Sequence, residues 1–157
     1  MTHKSEIKLE KQIRIAVFPG TFDPFTIGHR SIVERGLGIF DHIIIAVGYN
    51  IHKTSAEDID EKVKSIKAQF KDNDAVTVRP YSSLTADFVK QTGACTILRG
   101  VRSVTDFEYE RNLADVNKKI LGVETVFLTS LPEYSYISSS VVRELQAFGH
   151  DVSELIN

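Results

Sequence analysis

The sequence predicts an α/β fold: a doubly wound, parallel, five-stranded sheet covered by helices on both faces, in a single domain. Three observations predict it. Short runs rich in β-branched residues alternate along the chain with segments whose apolar residues recur at helical spacing. Clusters of Gly, Pro, Asp and Asn punctuate the boundaries. The 157 residues, 42% hydrophobic and 25% charged, suffice for one core but not for two ordinary domains.

The elements follow in order. Residues 1–12 are polar and rich in Lys and Glu and read as a solvated tail, with the domain proper over 13–157. Ile13, Ile15 and Val17 form a first strand, Pro19, Gly20, Asp23 and Pro24 interrupt regular structure, and a helix begins at Gly28. Ile32, Val33, Gly36, Leu37, Ile39 and Phe40 give it an apolar side, and Asp41 separates it from strand Ile43–Val47. After the polar loop with His52 and Lys53, Ile59, Val63, Ile66 and Phe70 share one face of a charged helix closed by Asp72-Asn73-Asp74. Ala75–Val78 is the third strand. Leu84–Gln91 is a short helix with Phe88 and Val89 inward, and Gly93 is its C-cap before strand Cys95–Leu98. A long helix starts near Ser103 or Thr105, carries Tyr109, Leu113, Val116 and Ile120 at helical spacing, and stops at Gly122. Glu124–Leu128 is the fifth strand, and Ile137-Ser138-Ser139-Ser140 opens a last helix with Val141, Val142 and Leu145.

Composition narrows the chemistry. A net charge of −2 and a pI near 6.2 argue against a nucleic-acid-binding surface, so any anion site is local. The single cysteine, Cys95, excludes an internal disulfide and fits a reducing compartment; lying in an apolar strand, it reads as core. No apolar run reaches ~18 residues and residues 1–12 hold no apolar stretch, so neither a membrane span nor a secretory signal is expected and the cytoplasm is the expected compartment.

In an open parallel sheet, ligands bind beyond the carboxyl ends of the strands, and the candidate residues cluster there. His29 lies at a helix start behind a Gly- and Pro-rich loop, where N–H groups and the helix dipole suit an anion. It is either the cap of a turn or a ligand of a phosphoryl group. Arg99 and Arg102 flank Gly100 after the fourth strand. They are either a surface pair neutralised by Asp106 and Glu110, or phosphate ligands whose carboxylate neighbours orient them or accept from a ribose hydroxyl. Ser138, Ser139 and Ser140, with Arg143 one turn on, offer a serine N-cap or a nucleotide site. Lys53 can reach an incoming phosphate from its flexible loop, Thr21 and Thr85 can donate single hydrogen bonds, and Glu57-Asp58 reads as solvated charge.

Taken together, Pro19-Gly20-Thr21-Phe22-Asp23-Pro24, Thr26-Ile27-Gly28-His29, Arg99-Gly100-Val101-Arg102, Asp106-Phe107-Glu108-Tyr109-Glu110 and Ile137-Ser138-Ser139-Ser140 closely resemble the bacterial phosphopantetheine adenylyltransferases. These belong to the nucleotidyltransferase superfamily marked by a T/H-x-G-H motif. The resemblance runs from about Ile13 to Val152, and the arginine and Asp-Phe-Glu-Tyr-Glu blocks are its most specific part. It implies a Rossmann-like enzyme that transfers AMP from ATP to 4′-phosphopantetheine, giving dephospho-coenzyme A and pyrophosphate, with Mg²⁺ and as a homohexamer, and with coenzyme A as a feedback ligand. By the same resemblance His29 stabilises the transition state, and Thr21, Lys53, Thr85 and Arg99 bind phosphopantetheine. ATP falls to Thr21, Phe22, His29, Gly100, Val101, Arg102, Glu110, Tyr134, Ser135, Tyr136, Ile137, Ser138, Ser139 and Ser140. Tyr134 stands where many relatives have Trp and keeps the capacity to stack on adenine; Thr85 stands where the family often has an apolar residue.

The residues themselves agree with direct in-line displacement. A phosphate monoester has a second pKa of ~6, so the attacking group is already ionised and needs no base. The chain shows no buried acid–base pair and no rigid carboxylate cage, so Mg²⁺ is expected to be held mainly by ATP phosphates and water, without protein ligands. Two rivals stand: a superfamily member acting on another phosphate acceptor, and a non-catalytic ATP-binding module.

Overall fold

The computed structural model describes residues 11–156, so the expected tail, apart from Lys11 and Gln12, lies outside the described residues. The elements run β1 (Ile15–Gly20), α1 (Ile27–Gly36), β2 (His42–Gly48), α2 (Ala56–Gln69), β3 (Val76–Tyr81), α3 (Thr85–Thr92), β4 (Thr96–Val101), α4 (Val104–Leu121), β5 (Glu124–Thr129), a 3₁₀ turn (Pro132–Tyr134), α5 (Ser139–Ala147) and α6 (Ser153–Ile156). The strands form one five-stranded sheet of order β3-β2-β1-β4-β5, with every pairing parallel. Alternate strand residues serve the two faces. Ala16, Phe18, Ile43, Ile45 and Leu98 pack with Ile32 and Val33 of α1 and Ile59, Val63 and Ile66 of α2. Val17, Ile44, Ala46 and Ile97 pack with Phe88 and Val89 of α3. A smaller cluster of Ile137, Val142 and Val152 closes on Ile27 and so ties α5 to the start of α1. Among the described residues no helix is long and apolar enough to cross a membrane.

Several boundaries differ from expectation for physical reasons. Pro19 and Gly20 continue β1 in register with Ala46 and Val47 of β2. Pairing of β1 with β4 stops at Val17↔Ile97, so the missing N–H of Pro19 falls where that ladder has already ended. β3 and β4 run past their expected ends at Val78 and Leu98 to Tyr81 and Val101, because ladder hydrogen bonds hold Arg79 and Arg99 as readily as valine. The helix expected from Gly28 begins at Ile27 under a Thr26 cap. Cys95 precedes β4 and is exposed, its thiol donating to the Ile15 carbonyl at 3.2 Å; a turn residue at the strand entry cannot join either core layer.

The apolar stripe on α4 forms as expected but faces outward. Tyr109, Val116 and Ile120 are 64%, 52% and 59% exposed, and Glu110 is the helix's one buried residue. The sheet instead receives the face of Glu110, Ala114, Asn117 and Leu121, also at helical spacing.

Candidate active site

The order β3-β2-β1-β4-β5 reverses chain direction of travel between β1 and β4, and their early separation opens a crevice at this switch point. A cavity of about 290 Å³ fills it, lined by β1 and its following loop, the start of α1, the end of β4, α4 and Ile137–Ser140. A second, of about 230 Å³, adjoins it and shares Pro19, Gly20, Thr21, Arg99 and Glu110.

His29 sits at the third position of α1 in a reciprocal cap. Thr26 Oγ1 accepts from the His29 N–H at 3.3 Å, and the Thr26 N–H donates to His29 Nδ1 at 3.0 Å. An accepting Nδ1 assigns the ring proton of the neutral imidazole to Nε2. The ring packs against Phe22 at 5.1 Å and Phe25 at 5.4 Å. Burial, then the positive charges of Arg102 and Arg99, push its pKa down from 6.5 to about 4. At neutral pH it is therefore an uncharged hydrogen-bond donor. The first sequence reading of His29 is present, with Nδ1 capping the helix, and the ring also lines the cavity, so capping leaves the second reading open.

Arg99 projects from the end of β4. Its Nε and Nη2 donate to the two carboxylate oxygens of Glu110 at 2.7 and 2.5 Å, and Nη1 donates to the Pro19 carbonyl. Five N–H groups less these three leave two for a ligand. Arg102 donates from its backbone N–H and Nε to Asp106 Oδ2 at 3.2 and 3.1 Å, while Ser103 caps α4 by accepting from the Asp106 N–H. Both arginines are thus paired with the carboxylates that both readings named, and both still line the cavity.

The three serines divide their work. Ser138 caps α5 by accepting from the Val141 N–H at 3.1 Å, Ser139 donates to the Pro24 carbonyl at 2.9 Å, and Ser140 accepts from Arg143 at 3.3 Å. Arg143 also donates to the Asp23 carbonyl at 2.5 Å. Lys62 of α2 reaches the Thr21 carbonyl at 3.2 Å and Asp23 Oδ1 at 3.4 Å.

Of the expected ATP contacts, Thr21, Phe22, His29, Gly100, Arg102, Glu110, Ile137, Ser138, Ser139 and Ser140 line the first cavity. Thr21, Thr85 and Arg99, expected at phosphopantetheine, line the second. Lys53, Val101, Tyr134, Ser135 and Tyr136 line neither. Lys53 is exposed in the turn before α2, Val101 is buried, Ser135 turns back to the Pro132 carbonyl, Tyr136 is exposed, and Tyr134 lines a separate groove beside Arg30 and Arg35. Sequence reasoning missed Tyr81, Asn117 and Thr125 of the second cavity. Asn117 carried a signal, standing at helical spacing from Glu110. Thr125 carried none, and its buried Oγ1 has no hydrogen-bond partner among the described residues. No cluster of His, Cys, Asp or Glu among the described residues is placed to hold a metal ion.

Comparison with known proteins agrees with this geometry. The cytidylyltransferase-like family profile matches residues 17–145. A phosphopantetheine adenylyltransferase of Bacteroides thetaiotaomicron is 47% identical over 92% of this chain and 95% of its own, and one of Porphyromonas gingivalis is 50% identical over 90% and 93%. A crystal structure of a bifunctional NMN adenylyltransferase/ADP ribose pyrophosphatase from Francisella tularensis, complexed with AMP and Mn ion, superposes with a TM-score of 0.69. That match covers 92% of this chain but 44% of the other at 13% identity, which bears on fold alone. The near full-length identity to enzymes of one name, on a five-stranded parallel sheet with its crevice at the switch point, shows that the chain belongs to the phosphopantetheine adenylyltransferase family.

Proposed function

We propose that the protein transfers AMP from ATP to 4′-phosphopantetheine, forming dephospho-coenzyme A and pyrophosphate. The observation that carries the reading is the imidazole of His29, neutral and with Nδ1 committed to Thr26, beside two arginines in a cavity joined to a second one. A phosphate oxygen of the acceptor attacks the α-phosphorus, the bond to the bridging oxygen breaks in line, and the electron pair leaves with pyrophosphate. The attacking phosphate is already ionised, so no base takes part. His29 Nε2–H donates to a non-bridging α-oxygen as charge builds there, and Arg102 with the Ile137–Ser140 segment holds the polyphosphate. Arg99 offers its two remaining N–H groups to the acceptor phosphate at the mouth shared by the cavities.

The second cavity suits a pantetheine arm. Tyr81, Ile97 and Leu113 are apolar surface, while Asn117 and Thr125 offer hydrogen bonds to amide groups. Lys53 completes acceptor binding from its loop, and Tyr134, next to the cavity-lining Ile137–Ser140 segment in sequence, supplies an aromatic ring for adenine. Asp106 and Glu110 are already engaged by arginines, which fits Mg²⁺ held by ATP phosphates and water; bound there, it neutralises phosphate charge. Coenzyme A, which carries both halves of the product, spans the two cavities as a feedback ligand. The outward stripe of α4 supports self-association, here as a homohexamer, and an exposed free thiol at Cys95 supports a reducing cytoplasm.

Pyrophosphate release from ATP with a panel of phosphorylated acceptors tests the reading. Release with 4′-phosphopantetheine is expected; release only with another phosphate, such as a pyridine mononucleotide, overturns it.

A further inference from the structure

Phe22 has φ 47°, a left-handed conformation that is unfavourable for a non-glycine residue and persists only where its surroundings over-determine it. Its ring is 3% exposed and lies across Gly20, where an added Cβ would come within 2.9 Å of it. The same ring meets the His29 imidazole edge-on at 5.1 Å and 86°. The twist at Phe22 therefore decides where a wall of the imidazole stands.

The carbonyl just before that twist and the one a residue beyond it are held by cationic side chains from other elements. Arg143 of α5 takes the Asp23 carbonyl and Lys62 of α2 takes the Thr21 carbonyl. Lys62 borders the buried stripe of Ile59, Val63 and Ile66, so its stem starts from a fixed point on the core, and its side chain is 25% exposed. It lines neither of the two site cavities; it stands behind the loop with Phe25, Ile66 and Gln69. Its ion pair with Asp23 is a weak alternative account, since Asp23 is 66% exposed and such pairs contribute little.

We infer that Lys62 is a positioning residue for the transfer step: by holding the Thr21 carbonyl it maintains the left-handed turn at Phe22, and through the Phe22 ring it fixes His29. This rests on the adenylyl-transfer reading for its kinetic arm and on geometry alone for its structural arm.

The full-length protein is compared with Lys62→Met, Lys62→Arg and Asp23→Asn. Lys62→Met lowers kcat ~10-fold, the value of one charge-assisted hydrogen bond, with KM for ATP within about twofold. Lys62→Arg, which can still donate to the carbonyl, restores most of the loss, and Asp23→Asn stays within about twofold of wild type. A raised KM for ATP with kcat intact in Lys62→Met makes Lys62 a direct ligand and overturns the inference. Loss of kcat in Asp23→Asn assigns the effect to the ion pair and overturns it too. A fall in Tm with full kcat per folded molecule leaves only a structural role. Independently of any acceptor, ligand-free NMR reads the contact between the Phe22 ring and the His29 imidazole: it weakens in Lys62→Met and survives in Lys62→Arg, and its persistence in Lys62→Met refutes the link. Failure of wild type to use 4′-phosphopantetheine rejects the acceptor assignment and leaves this second arm standing.

Discussion

Replacing His29 by alanine removes one hydrogen-bond donor from a cavity that keeps several others. The two free N–H groups of Arg99, the exposed Arg102 and the Ile137–Ser140 segment all remain, and under the proposed reaction they hold phosphate oxygens in ground and transition state alike. The lost donor is the Nε2–H, which contributes most where charge grows on the α-phosphate. Removing one such donor from a preorganised site lowers kcat by about 10²–10³-fold, or ~2.7–4 kcal/mol. Affinity for ATP should change by no more than about threefold. Folding suffers less: the backbone N–H at position 29 still reaches Thr26 Oγ1, while the Thr26 N–H loses its acceptor and the space beside Phe22 and Phe25 empties, ~1–3 kcal/mol together. The assay is pyrophosphate release at saturating substrates, with ATP binding measured by calorimetry and the folded fraction by circular dichroism. Equal losses in ATP affinity and kcat would refute the reasoning, because they would mark His29 as a ground-state ligand.

Three further outcomes follow from the same geometry. The His29 pKa is about 4 in the fold and 6.5 when unfolded, so only the unfolded chain takes up a proton between those values; stability is complete above pH 6.5 and lost as pH falls, by about 2 kcal/mol at pH 5. Denaturant titrations at pH 7 and pH 5 should show this loss in wild type and not in His29→Ala, and equal losses in both would contradict it. Arg99→Ala should raise KM for 4′-phosphopantetheine ~10–100-fold while sparing ATP, and should lower Tm because Glu110 is then buried alone; a selective loss of ATP binding would overturn the assignment. Gly36→Ala drives a Cβ to 2.8 Å from both Ile43 Cδ1 and Leu98 Cδ2 and should destabilise by ~1–3 kcal/mol with kcat unchanged, which thermal unfolding checks.

What could be read from the sequence follows from how each feature is encoded. Buried parallel strands are apolar runs, so β1, β2 and β4 announced themselves by Val17, Ile43–Val47 and Ile97. Strand ends did not, because β3 and β4 continue through Arg79 and Arg99 on backbone pairing that no side chain advertises. Helical period identified α4 but not its orientation: a carboxylate, an alanine and an amide face the sheet while Tyr109, Val116 and Ile120 face out. Residues at strand ends and at the helix starts beyond them, His29, Arg99, Arg102 and Ser138–Ser140, could be placed at the crevice from type and position. Lys62 was not, since it serves the site through one backbone carbonyl and looks like any helix-surface lysine.

The short pairing of β1 with β4 gives Arg99 a second occupation. Between β1 and β4 the ladder pairs Ala16↔Thr96 and Val17↔Ile97, preceded by the Cys95 bond to the Ile15 carbonyl, and beyond them the guanidinium to Pro19 and Glu110 serves as the next rung. A side chain proposed to recognise the acceptor is thereby also part of the sheet's scaffolding. Lysine, with one nitrogen at its tip, cannot span a carbonyl and both oxygens of a carboxylate at once, so the position tolerates even a charge-conserving exchange far less than its partly exposed place at a cavity mouth suggests.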